Sequence, residues 1–238
     1  MKKIYILLFS CFFISCSNSK KISISKVEGS PAYENAKLSL RDSVYQEGEN
    51  HLFSFNVDQY ELGAQTSKDF EYKLANSDKG QHIHFIINNG PYFAKYTQEF
   101  SQKLEEGNNV ILAFLSRSYH ESVKNPNAYV LTQIGEGDQI DLTDEFLFYS
   151  RPKGVYEGEA TEKVLLDFYL INTKIAPDGN KVKVTIEDTE FLIDEWAPYY
   201  IEGLPKGEIS IKLELLNSNG DLIESPFNPS ERTVVLKE

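Results

Sequence analysis

Two histidines stand two residues apart in Gly80-Gln81-His82-Ile83-His84-Phe85-Ile86-Ile87, and a third follows in Ser116-Arg117-Ser118-Tyr119-His120-Glu121-Ser122. Neutral imidazole is the commonest transition-metal ligand, and protonated imidazole beside a guanidinium holds anions. On a β-strand, His82 and His84 would project from one face roughly 6 to 7 Å apart. That spacing lets them share a divalent metal (zinc or copper) with His120, bracket a small anion, or stand as an ordinary solvated pair. Arg117, Tyr119 and His120 extend the anion option to phosphate or a phosphopeptide. Glu121 beside His120 would be the general base if a zinc ion activated water, which is the hydrolase alternative. Arg151 and Lys153, in Phe148-Tyr149-Ser150-Arg151-Pro152-Lys153-Gly154, belong either to a first strand and turn or to a ligand-facing junction. The chain has no Gly-x-Ser-x-Gly, His-Glu-x-x-His or phosphate-loop motif, so the best-supported class is a non-enzymatic binding module.

The elements that must position these groups are strands. Short runs alternating apolar and polar residues recur between Gly, Asn, Pro and Asp clusters, with no sustained helical period. The chain also repeats itself. Gly80 to Ile87 aligns with Gly179 to Ile186; Leu104, Gly107, Ile111 and Leu115 align with Leu204, Gly207, Ile211 and Leu215; and Asn125-Pro126 aligns with Asn228-Pro229. This predicts an all-β chain of two tandem immunoglobulin-like β-sandwich domains, 36–137 and 145–238, joined by a linker at 138–144. In the second copy Val182, Val184 and Ile186 must face the core because Lys181 and Lys183 cannot. By the same parity Ile83, Phe85 and Ile87 face the first core, and His82 and His84 face outward. Val110, Leu112 and Phe114 occupy outward positions that are polar in the second copy, so this apolar stripe is expected to be an interface covered by the second domain, the tether or a partner. In an immunoglobulin-like sheet the two strands are neighbours, which brings His120 towards His82. The loop within 63–79, longer in the first copy, would lie at the same end.

Composition narrows the partners. Of 238 residues, 36 are acidic and 24 basic, for a net charge of −12 and a pI near 4.9, which disfavours nucleic acid. The N-terminus reads Met1-Lys2-Lys3, then an apolar run from Ile4 to Ile14, then Ser15-Cys16 and a polar stretch. This is a secretion signal (1–15) whose end resembles a bacterial lipobox. Lipidation of Cys16 would leave a tether over 16–35 and anchor the protein to a membrane, in the envelope of a Gram-negative bacterium. Ser17 after the cysteine resembles an outer-membrane sorting signal. Cys11 is the alternative cleavage site, but it would leave Phe12, Phe13 and Ile14 on the mature chain.

The stretches Gly80 to Tyr92, Leu115 to Ser122 and Phe148 to Gly154 resemble a family of two-domain lipoproteins from Bacteroidetes-type bacteria, some members of which carry a phosphopeptide-binding label. The resemblance covers most of the mature chain and implies a cell-envelope address and a β-sandwich, without a defined reaction.

Overall fold

The computed structural model describes residues 21–68 and 74–238. The segment expected to be a signal peptide, Cys16 and the start of the expected tether lie outside the described residues. The chain is all-β, and among the described residues it has a single 3-10 turn, at Gly158–Thr161. Its strands form two sandwiches of immunoglobulin-like type. In the first, β2 (Lys37–Leu40), β4 (Asn50–Asp58), β3 (Tyr45–Glu47) and β7 (Glu99–Gln102) form one sheet; β6 (Phe93–Lys95), β5 (His82–Ile87), β8 (Asn109–Ser116) and β9 (Tyr129–Ile134) form the other. In the second, β1 (Ser23–Lys26), β15 (Tyr199–Glu202), β12 (Lys163–Ile171) and β10 (Phe146–Arg151) face a five-stranded sheet ordered β11 (Gly154–Tyr156), β17 (Ser230–Leu236), β16 (Gly207–Leu216), β13 (Lys181–Ile186) and β14 (Thr189–Ile193).

Period-2 alternation builds both cores. Phe53 and Phe55 of β4 pack on Ile83, Phe85, Ile111, Ala113 and Leu115; Val164, Leu166, Phe168 and Leu170 of β12 pack on Val182, Val184, Ile186, Ile209 and Ile211. In β13 the lysines stay half-buried while Val182, Val184 and Ile186 are buried, so the outer face of this sheet meets water.

A third core lies between the two sandwiches. The outer face of β5 and β8, carrying Ile86, Val110, Leu112 and Phe114, packs on Phe146, Phe148, Tyr169 and Ile171 from β10 and β12. The stripe at Val110, Leu112 and Phe114 is therefore covered by the second sandwich. Phe114 stacks on Tyr169 with ring centroids 4.6 Å apart, and Tyr169 meets Trp196 edge-on at 5.1 Å. Every residue of β8 and β10 is buried, so these strands read apolar on both faces. Lys124 forms an ion pair across the seam with Asp167, whose carboxylate also accepts from Ser122 Oγ at 3.0 Å.

Residues 23–26, expected within the tether, are instead a strand. β1 pairs antiparallel with β15, Ser23 opposite Glu202 and Lys26 opposite Tyr199, and so completes a sheet of the second sandwich. Val27 continues into the structure, buried with Tyr119, Leu165 and Tyr200. The sheet edge beyond β15 offers unpaired backbone groups that a short strand satisfies.

Candidate metal centre

His82 and His84 lie on β5, paired antiparallel with β8 so that His82 is opposite Ser116 and His84 opposite Phe114. The strand parity is the expected one, but the environment is not. Both side chains are fully buried rather than solvated, because β10 of the second sandwich covers the outer face of β5. His120 arrives from the turn after β8, where its backbone N–H donates to Arg117 O and Arg117 N–H donates to Glu121 O. The equivalent turn in the second sandwich makes the same two bonds with Asn217, Gly220 and Asp221. His120 adopts φ +70° where that repeat has Gly220 at φ +88°. A left-handed backbone suits glycine and costs a histidine of order 1 kcal/mol. That strain aims the imidazole at the other two.

The three rings converge. His82 Nε2 is 3.0 Å from His84 Nε2 and 3.1 Å from His120 Nδ1, and all three ligand atoms lie within 4.8 Å of one another. Ligand nitrogens about 2.0 Å from a tetrahedral metal are about 3.3 Å apart, which the two separations from His82 Nε2 approach. The outer hydrogen bonds orient the rings. Gly80 O can only accept, so His82 Nδ1 carries the proton and donates to it at 2.8 Å; His82 Nε2 therefore turns a lone pair inward. His84 Nδ1 lies 3.2 Å from Ser150 Oγ; donating there, His84 would present its Nε2 lone pair inward, where Ser116 Oγ lies 3.1 Å away. His82 Nε2 can accept from one of the two ring nitrogens beside it, and His120 Nδ1 can accept from the Tyr92 hydroxyl 3.1 Å away. A cation at the centre would instead take a lone pair from each ring. His120 is half-buried and forms the accessible edge of the site.

Burial depresses all three basicities. Desolvation, opposed by the Gly80 hydrogen bond and helped by the charges of Arg151 and Lys153, lowers His82 to about 4. Desolvation holds His84 and His120 far below the usual imidazole range, with neighbouring imidazoles and Arg151 pushing the same way. At neutral pH the rings are uncharged, which is the state that ligates a metal.

Tyr92, part of the turn between β5 and β6, lies flat on His84, with centroids 3.5 Å apart at 9°, and its hydroxyl is 3.1 Å from His120 Nδ1. Arg151 Cζ lies 5.3 Å and Lys153 Nζ 3.9 Å from the Tyr92 ring centroid. The stretch is the strand and turn of the first alternative, β10 running into β11, and it lies beside the seam, where Arg151 donates to Tyr156 Oη at 2.9 Å and Lys153 to Tyr92 O at 2.7 Å. Sequence reasoning missed Tyr92, Ser116 and Ser150 as members of this site. The signal for His120 was present in the repeat, which sets a histidine against Gly220.

Arg117, Tyr119 and Glu121 do not join the histidines. Arg117 is buried and ion-paired with Glu121 at 3.0 Å; it donates to Ser122 O and Pro31 O and lies under the Tyr33 ring. Tyr119 Oη donates to Ser30 Oγ, which in turn donates to Glu121. The tight turn sends Arg117 and Glu121 to the side opposite His120, so the guanidinium expected to hold an anion is neutralised internally. The carboxylate considered as a general base is engaged by the same pair. The described parts of the 63–79 loop do lie at this end, with Thr66 N donating to Ser118 Oγ and Ser77 N to Ser118 O.

No family model and no curated protein matches the chain. Solved structures with a related strand arrangement include the fibronectin(III)-like modules of Clostridium thermocellum CbhA, at 12% identity and a TM-score of 0.31, covering 84% of this chain and 94% of that one. Others are the FN1-FN3 domains of chicken CNTN1, at 12% and 0.26, covering 89% and 70%, and the Bacteroides ovatus mixed-linkage glucan utilization locus protein SGBP-B in complex with a mixed-linkage heptasaccharide, at 9% and 0.22, covering 84% and 70%. These likenesses concern the fold alone.

Proposed function

We propose that this protein is a non-enzymatic binding module of the cell envelope, held at the outer membrane of a Gram-negative bacterium by a lipid on Cys16, whose three-histidine centre binds a divalent transition metal, zinc or copper. The observation that carries the reading is the convergence of three uncharged imidazoles, two of them fully buried, with one nitrogen of each within 4.8 Å of the others. The outer partners Gly80 and Ser150 supply the orientation that metal-ligating histidines require. With the ligands drawn from one sandwich and their cover from the other, metal occupancy and the docking of the sandwiches support each other. Calorimetric titration of chelator-treated mature protein with zinc and with copper tests this. One equivalent bound by the wild type, and lost in both His82→Ala and His120→Ala, is the expected result. Silence from a folded wild type ends the metal reading.

A further inference from the structure

We infer that Tyr92 is the fourth ligand of the three-histidine centre, binding as a phenolate and making this a site for a metal that tolerates a hard anionic oxygen, such as copper(II). This rests on the metal reading above and deepens it. The first argument is placement. The Tyr92 ring is buried and clamped flat against His84, and its oxygen is 3.1 Å from a nitrogen that itself lies 3.1 Å from His82 Nε2. The oxygen thus lies on the His120 side of the cluster, in contact with one of the three ligand nitrogens.

The second argument is charge. Arg151 and Lys153 lie against Tyr92, and Arg232 donates to Asn89 O and Gly90 O in the same turn. None of the three is paired with a carboxylate among the described residues, in a chain that carries 36 of them. A dication added to three neutral imidazoles beside these cations would be strongly disfavoured unless an anion entered with it. The phenol supplies that anion from within the site. As the metal–oxygen bond forms, the O–H bond breaks and its proton leaves to water, so one positive charge departs as two arrive. The cations that oppose a bare metal then stabilise the phenolate. Tyr92 Oη thereby completes a His3Tyr set of four, as a tetrahedral or tetragonal ion requires.

The test uses copper(II) alone, added to chelator-treated protein in a buffer free of coordinating anions, with bound copper counted by elemental analysis. The expected wild-type complex shows an intense visible absorption from phenolate-to-copper charge transfer, and Raman excitation within that band enhances tyrosinate ring modes. Tyr92→Phe is expected to lose the band and weaken copper about tenfold or more while His-ligated binding persists. One copper per wild-type chain with only weak ligand-field absorption overturns the phenolate assignment and leaves the histidine reading intact. No bound copper overturns both. The Raman measurement on wild type decides the question even if Tyr92→Phe does not fold.

Discussion

Acid should loosen this protein through its buried histidines, and the size of the effect follows from where they sit. In the unfolded chain each imidazole titrates near 6.5. In the folded chain His82 titrates at about 4, and His84 and His120 lie far below their ordinary value, all chiefly through desolvation. Between pH 6.5 and about 4 the unfolded chain therefore holds more protons than the folded one, and stability must fall as pH falls. Above pH 6.5 both states are neutral at these positions, and the stability they permit is fully present. At pH 5 His82 should cost about 2 kcal/mol relative to pH 7.5, and His84 and His120 should add to the loss in the same direction. Denaturant unfolding of the metal-free protein, in chelator at the two pH values, measures the difference. Replacing all three with glutamine should flatten the profile. A wild-type change below about 1 kcal/mol would refute the placement of uncharged imidazoles in the seam.

Other outcomes test the parts around the centre. Leu112→Asp, which puts a charge into the core between the sandwiches, should cost more than about 4 kcal/mol and remove cooperative unfolding; a folded, stable monomer would place that residue on a free surface. Gly80→Ala should be costly as well as metal-weakening, because a Cβ there would meet Gly63 O at 2.2 Å and Ala64 O at 2.5 Å, with φ at +80°. Its melting temperature and zinc affinity should fall together. Asp167→Ala, which strands Lys124 in the seam, should cost about 3 to 5 kcal/mol by denaturant titration. Zinc at one hundred times its dissociation constant should raise wild-type stability by about 2.7 kcal/mol and leave His82→Ala unchanged.

How much of this was legible in the sequence depends on which contacts are local. The facing of β5 and β13 could be read because lysines at 181 and 183 settle the parity, and the repeat transfers it to Ile83 and Phe85. The apolar stripe on β8 announced a cover. What covers it is β10 and β12, whose Phe146, Phe148 and Tyr169 have no periodic relation to His82 and His84, so two histidines expected in water lie in a core. Strands that are apolar on both faces, such as Phe146–Arg151, are the sign that was available. Arg117 and Glu121 were misplaced for a different reason. Four positions apart in a tight turn, they find each other before anything else does. β1 escaped notice because four residues with a single half-buried isoleucine carry almost no periodicity, and their partner lies far along the chain.

That last pairing bears on how the polypeptide is made. Synthesis delivers Ser23 long before Glu202, so the strand that opens the described chain has nothing to pair with until the last sheet emerges. The first sandwich can close its own core early, yet its histidine-bearing face waits bare for β10 and β12, with Val110, Leu112 and Phe114 exposed.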